Sequence, residues 1–136
     1  MQYKYDRDYK PPIPVLELKI KHPISGEKEE VKCRFDTGAS RTTIPKSILT
    51  KMGFSPKIHE PVRDYFGKVN DCPVYIANIS IERYSFTQIK VLSTNDNVGL
   101  IGRDILNQWI LLLDGKRQFF YTKKKMWNLG NLFWIT

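Results

Sequence analysis

The stretch Cys33-Arg34-Phe35-Asp36-Thr37-Gly38-Ala39-Ser40 decides how this chain is read. Val31, Cys33 and Phe35 share one parity of an alternating run, and Lys32 and Arg34 hold the other. Period two marks a half-buried strand. Asp36 follows at its end, so a carboxylate is delivered to a tight turn. The small Gly38 and Ala39 let another backbone come close, and Thr37 can bond sideways rather than to its own strand. From average composition, a D-[ST]-G triplet arises by chance in roughly one chain in twenty of this length. Alone it is therefore equally consistent with an Asx-type turn.

Upstream, Leu16, Leu18 and Ile20 alternate with Glu17, Lys19 and Lys21. His22-Pro23 ends that run and Ser25-Gly26 supplies a turn, so the two runs predict a β-hairpin ending on Asp36. Downstream, Pro45 to Gly53 predicts one short helix, with Pro45 in its first turn, Ile48, Leu49 and Met52 as its apolar stripe, and Gly53 just past its end. Residues 60–73 are polar and turn-rich around Gly67. Strands are expected through Tyr75, Ala77, Ile79 and Ile81, and through Ile89 and Val91. Val98-Gly99-Leu100-Ile101-Gly102 reads as an apolar strand ending in Gly, followed by a short helix over Arg103–Gln108. A last hairpin joins Ile110–Leu113 to Gln118–Tyr121 at Asp114-Gly115. The expected organisation is a loose lead-in over 1–12, one domain over 13–126, and an apolar tail over 127–136. Many short strands with two short helices predict an all-β, mainly antiparallel barrel or sandwich.

Composition narrows the function classes. The chain has 136 residues, suited to one domain, with 41% apolar and 26% charged residues, which argues against intrinsic disorder. Lys and Arg number 22 against 14 Asp and Glu, a formal charge of +8 that permits an anionic partner. The two cysteines, Cys33 and Cys72, form no CxxC pair and read as buried free thiols. The longest purely apolar run, Trp109–Leu113, is far too short to span a membrane. The N-terminus lacks the apolar segment of a secretory signal, so a cytoplasmic location is expected. His22 and His59 stand apart from other ligand types, and no metal is expected. Lys116, Arg117 and Lys123-Lys124-Lys125 surround Phe119, Phe120 and Tyr121. A solvated hairpin face accounts for that patch, and a nucleic-acid partner is not expected.

The pair of segments Asp36-Thr37-Gly38-Ala39-Ser40 and Leu100-Ile101-Gly102-Arg103-Asp104-Ile105-Leu106, in that order and near that spacing, resembles the retropepsin-like aspartic proteases. That family includes viral enzymes and single-domain cellular and bacterial relatives, and the likeness runs from about Val15 to Leu113. It implies an acid-protease β-barrel with short helices, completed as a two-fold homodimer. It also implies hydrolysis of a peptide or protein substrate with no cofactor. Two carboxylates share one proton; the ionised one activates water and the protonated one donates to the scissile carbonyl oxygen. One chain carries one D-[ST]-G triplet, so Asp36 would face Asp36 of a second copy.

By the same resemblance, Thr37 would bond across the two-fold axis, Gly38 would support the turn and Ala39 would contact substrate. Gly102 would lie beneath Asp36, where a side chain would clash. Arg103 and Asp104 would open the helix and brace the interface. Arg63–Val69 would be the flap, with Gly67 at its tip and Tyr65 and Phe66 over bound peptide. Two departures matter. Viral flaps carry several glycines and this one carries one. Viral enzymes often have an acidic residue where Ser40 stands, so the Arg103 network must differ, and the chain looks closer to the cellular members. The apolar tail is expected as an intermolecular strand of the dimer. Two alternatives stay open: a catalytically silent binding domain on the same fold, and a small basic β-barrel for nucleic acid.

Overall fold

The computed structural model describes residues 2–123, so the expectation of an interface strand over 127–136 lies outside the described residues. The strands are β1 (Gln2–Lys4), β2 (Val15–Lys21), β3 (Lys28–Phe35), β4 (Thr43–Pro45), β5 (Ile58–Arg63), β6 (Val69–Ile81), β7 (Tyr84–Thr94), β8 (Gly99–Ile101), β9 (Ile110–Asp114) and β10 (Phe119–Lys123). Helix α1 (Lys46–Lys51) follows β4, and α2 (Arg103–Leu106) follows β8.

The larger sheet runs β2-β3-β8-β4-β7-β6-β5, and β2 also pairs with β6. That extra pairing closes six strands into a barrel and leaves β5 outside it. Closure follows from the patterns in the sequence. Leu16, Leu18 and Ile20 face inward with Val31 and Cys33, while the intervening Glu17, Lys19 and Lys21 stay in water. Leu16 lies opposite Cys33 and Leu18 opposite Val31; Ile20 lies opposite Ile79. Each such side chain contributes roughly 1.5–3 kcal/mol on burial. Two pairings are parallel, β3 with β8 and β4 with β7.

The smaller sheet, β1-β10-β9, packs below the barrel through Phe120, which is fully buried. Its ring meets Phe35 edge-on at 5.1 Å, and Tyr3 stacks on it at 4.9 Å. The first residues are therefore not loose: residues 2–4 form an edge strand on β10. Pro45 is the N-cap of α1 and the last residue of β4, one step earlier than expected. Gly53 takes φ +76° just beyond that helix. The turn-rich region is in fact paired, Arg63 opposite Val69 and Ile58 opposite Val74. The last hairpin closes through Gly115–Gln118, since Asp114 pairs with Phe119. Cys33 and Cys72 are free, but only Cys33 is buried; Cys72 is half-buried. No helix among the described residues is long and apolar enough to cross a membrane.

Candidate active site

The site sits where two parallel strands end together. Phe35 and Ile101 are the last paired residues of β3 and β8, so Asp36 and Gly102 leave the barrel side by side. The Asp36 N–H donates to the Ile101 carbonyl at 3.0 Å. The chain then turns sharply. The Gly38 N–H donates to Asp36 Oδ1 at 2.9 Å, and the Ala39 N–H to the Asp36 carbonyl at 3.2 Å. The Asx-type turn and the site are thus one structure: the turn pins one carboxylate oxygen and leaves the half-buried group oriented. A Cβ on Gly38 would lie 3.1 Å from that same oxygen.

Gly102 holds the loop from below. A Cβ there would come within 2.6 Å of the Arg41 carbonyl carbon, 2.7 Å of the Arg41 oxygen and 3.0 Å of the Ala39 oxygen. The crowding is therefore with the backbone of the loop that carries Asp36, rather than with Asp36 itself. Gly99 is packed as closely, its Cβ position lying 2.6 Å from the Thr43 oxygen and 2.7 Å from Cys33 Sγ. Burial pushes the Cys33 thiol up to about 12, so it is no nucleophile at neutral pH.

Arg103 and Asp104 act on the same loop within one chain. The Arg103 N–H donates to the Ala39 carbonyl at 2.9 Å, and Arg103 Nη1 to the Thr37 carbonyl at 2.9 Å. Asp104 accepts from Thr42 twice, Oδ2 from its N–H at 3.0 Å and Oδ1 from its hydroxyl at 2.8 Å. The fully buried Thr42 hydroxyl in turn accepts from the Gly102 N–H at 3.2 Å. Thr42 is thus the knot of the loop, and nothing in its sequence neighbourhood distinguishes it from a surface Thr. The Thr37 hydroxyl is exposed and makes no hydrogen bond among the described residues.

Beside the loop lies a groove of about 700 Å³. Gly38, Ala39, Ser40 and Arg41 form one wall, and Glu60 to Asp64 of β5 and its turn form the other. Arg41 and Glu60 meet across it, Nη2 to Oε2 at 3.0 Å, and Lys90 Nζ reaches Glu60 Oε1 at 3.0 Å. Those partners, the Lys90 hydrogen bond foremost, hold the Glu60 carboxyl below the usual carboxylate range. Neither Arg41, Glu60 nor Lys90 stood out in the sequence, because the pairing joins three separate segments.

Arg63–Val69 is a hairpin end. Asp64 Oδ1 accepts from the N–H groups of Phe66 and Lys68, both at 2.9 Å, and Gly67 supplies φ +82°. Tyr65 and Phe66 stand 96% and 90% exposed, with rings 5.6 Å apart, and neither lines the groove of the single chain. Among the described residues, no cluster of His, Cys, Asp and Glu is placed to hold a metal ion.

A closed six-stranded barrel with an Asp-Thr-Gly turn at paired strand ends, held by a Gly-Arg-Asp helix start, is the retropepsin-like aspartic protease fold. Residues 21–108 match the gag-polyprotein putative aspartyl protease family, and the chain belongs to it. Among solved structures it is similar to a retropepsin-like aspartic protease from Rickettsia conorii, with TM-score 0.62 and 18% identity over 90% of this chain and 88% of that one. It is also similar to the simian foamy virus (mac) protease, with TM-score 0.50 and 20% identity over 69% of this chain and 92% of that one. No curated protein sequence matches it.

Proposed function

We propose that this chain is an aspartic endopeptidase, active as a two-fold homodimer in which Asp36 of each copy supplies half of a catalytic dyad. The observation that carries the reading is the Asp36 carboxylate at the shared end of β3 and β8, with one oxygen pinned by the N–H of Gly38, a residue of the same turn that lines the groove while Asp36 itself does not. The sequence holds one D-[ST]-G triplet, so a second copy must bring the other carboxylate. Two carboxylates that close cannot both ionise. The ionised one takes a proton from water as that water attacks the scissile carbonyl carbon. The protonated one gives its proton to the carbonyl oxygen. Collapse of the tetrahedral intermediate breaks the C–N bond, with a proton passed to the leaving amine.

The exposed Thr37 hydroxyl is available to bond across the two-fold axis, and Arg103 fixes the Thr37 carbonyl from its own chain. The hairpin bearing Tyr65, Phe66 and Gly67 is the flap; exposed aromatics at its tip would cover bound peptide and exclude water once it closes. The tail from Trp127 onward is the candidate seal of the dimer. The test is cleavage of a mixed peptide library by wild type and by Asp36→Asn, each over a dilution series. Wild type should cleave, with specific activity falling as dilution depletes the dimer, and Asp36→Asn should not cleave. Activity retained by Asp36→Asn, or a fully active monomer, would overturn the reading.

A further inference from the structure

The groove beside the loop over 38–41 is unevenly charged. Arg41, Arg63 and Arg103 line it, as do Glu60 and Asp64. The Asp64 carboxylate accepts only from neutral donors of its own turn, Oδ1 from the Phe66 and Lys68 N–H groups and Oδ2 from Asn70 Nδ2 at 3.3 Å, so its geometry is fixed and its negative charge stays. Arg63 Nη1 bonds the Gly67 carbonyl at 2.8 Å and Arg103 Nη1 the Thr37 carbonyl, both neutral acceptors, so against the single charge of Asp64 these two arginines leave a net positive charge. Glu60 is shared by two cations, one on each oxygen, so the Arg41–Glu60–Lys90 cluster keeps a net positive charge.

Within this set Arg41 is placed to use that charge. Its side chain is one-third exposed, and its hydrogen bond to Glu60 runs through Nη2. A guanidinium has five N–H donors in a fixed fork, so another edge remains for a ligand. The Glu60 contact already holds the side chain in place, which lowers the ordering cost of a further bond. A carboxylate on the substrate would meet a planar, pre-oriented partner suited to two parallel hydrogen bonds.

We propose that Arg41 is a specificity-determining residue that selects substrates bearing an acidic side chain, Asp or Glu, a few residues from the cleaved bond. The proposal rests on the peptidase reading above for where substrate lies, and its test separates the two. A Glu is walked along an apolar host peptide, each position matched by a Gln peptide, at near-neutral pH where Glu is ionised. Cleavage by wild type gives kcat/KM for each pair. Fluorescence anisotropy with Asp36→Asn gives binding without hydrolysis.

At one position the Glu peptide should be preferred roughly tenfold, the usual margin of a charge-assisted over a neutral hydrogen bond, and the preference should shrink as salt rises. Arg41→Gln should erase it, Arg41→Lys should keep part of it, and Arg41→Glu should turn it toward a Lys peptide. Circular dichroism checks that each variant folds. If Arg41→Gln does not fold, a preference that Arg41→Lys leaves undiminished counts against the proposal. Wild type that cleaves with no Glu preference anywhere overturns the proposal and leaves the peptidase reading standing. A preference that survives Arg41→Gln also overturns it, and assigns selection to Arg63 or Arg103. Arg41-dependent binding without cleavage supports the proposal and overturns the peptidase reading.

Discussion

Replacing Gly102 by Ala tests the packing of the Asp36 loop at a single atom. The new methyl would stand 2.6–2.7 Å from the Arg41 carbonyl group and 3.0 Å from the Ala39 oxygen. All three are backbone atoms, so no flexible side chain can swing aside. Gly102 has φ −90°, which Ala adopts freely, so the cost is steric and not conformational. Overpacking of this kind costs about 1–3 kcal/mol. Unfolding entropy near 2.1 cal/mol/K per residue gives about 0.29 kcal/mol/K for a chain of 136 residues, so Tm should fall by about 3–10 °C. The relief must come from the loop over 36–41, because β8 is held in the barrel on both sides, by β3 and β4. In the proposed dyad, a carboxylate displaced by even 1 Å would lose on the order of 10²-fold in rate. Differential scanning fluorimetry at fixed protein concentration, with peptide cleavage well below Tm, measures both effects. Gly115→Ala is the control: nothing lies within 4 Å of its Cβ position, and Tm should hold or rise slightly. An unchanged Tm in Gly102→Ala would refute the packing argument. A lowered Tm with full activity below it would refute the claim that this contact positions Asp36.

Thr42→Val should destabilise by about 1–3 kcal/mol, because it removes a fully buried hydroxyl that serves Asp104 Oδ1 and the Gly102 N–H; chemical denaturation checks it, and Thr42→Ser should recover most of the loss. Glu60 should titrate below its ordinary 4.5 in a carboxyl-carbon NMR experiment, and Lys90→Gln should move it back up, since the Lys90 hydrogen bond is the largest cause. A depressed folded pKa means the ionised form is favoured by folding. The Arg41–Glu60–Lys90 contribution is therefore fully present above pH 4.5 and lost only as pH falls through the lower folded value, so the groove link should survive at mildly acidic pH. A dyad sharing one proton should give a bell-shaped pH dependence of kcat/KM, with an optimum on the acidic side of neutral and apparent pKa values that belong to the pair; a flat profile would exclude carboxylate catalysis. Deleting residues from Trp127 onward should shift sedimentation from dimer toward monomer, with activity falling in step.

Much of the barrel was legible in the chain itself, because period-two alternation reports one buried face directly. Leu16-Leu18-Ile20 and Val31-Cys33 face inward as their parity required. Gly53, and the short helices near Pro45 and Arg103, also lie where capping residues and apolar spacing put them, within a residue or two. The Asp36 turn was legible too, since Asp-Thr-Gly at a strand end is a local pattern. Other elements left no such trace. Strand β5 is exposed along most of its length, so its stability comes from backbone pairing with β6 and not from a buried stripe. Strand β1 is fixed by Tyr3 stacking on Phe120, a contact between opposite ends of the described chain. The reason Gly102 must be Gly lies in the backbone of Arg41 and Ala39, and the use of Thr42 lies in Asp104. Arg41, Glu60 and Lys90 become one cluster only when the loop, β5 and β7 are brought together. Hydrophobic period and turn chemistry act over a few residues and can be read along a line. Hydrogen bonds, ion pairs and close approaches between remote segments depend on which strands are neighbours, and tertiary structure alone decides that.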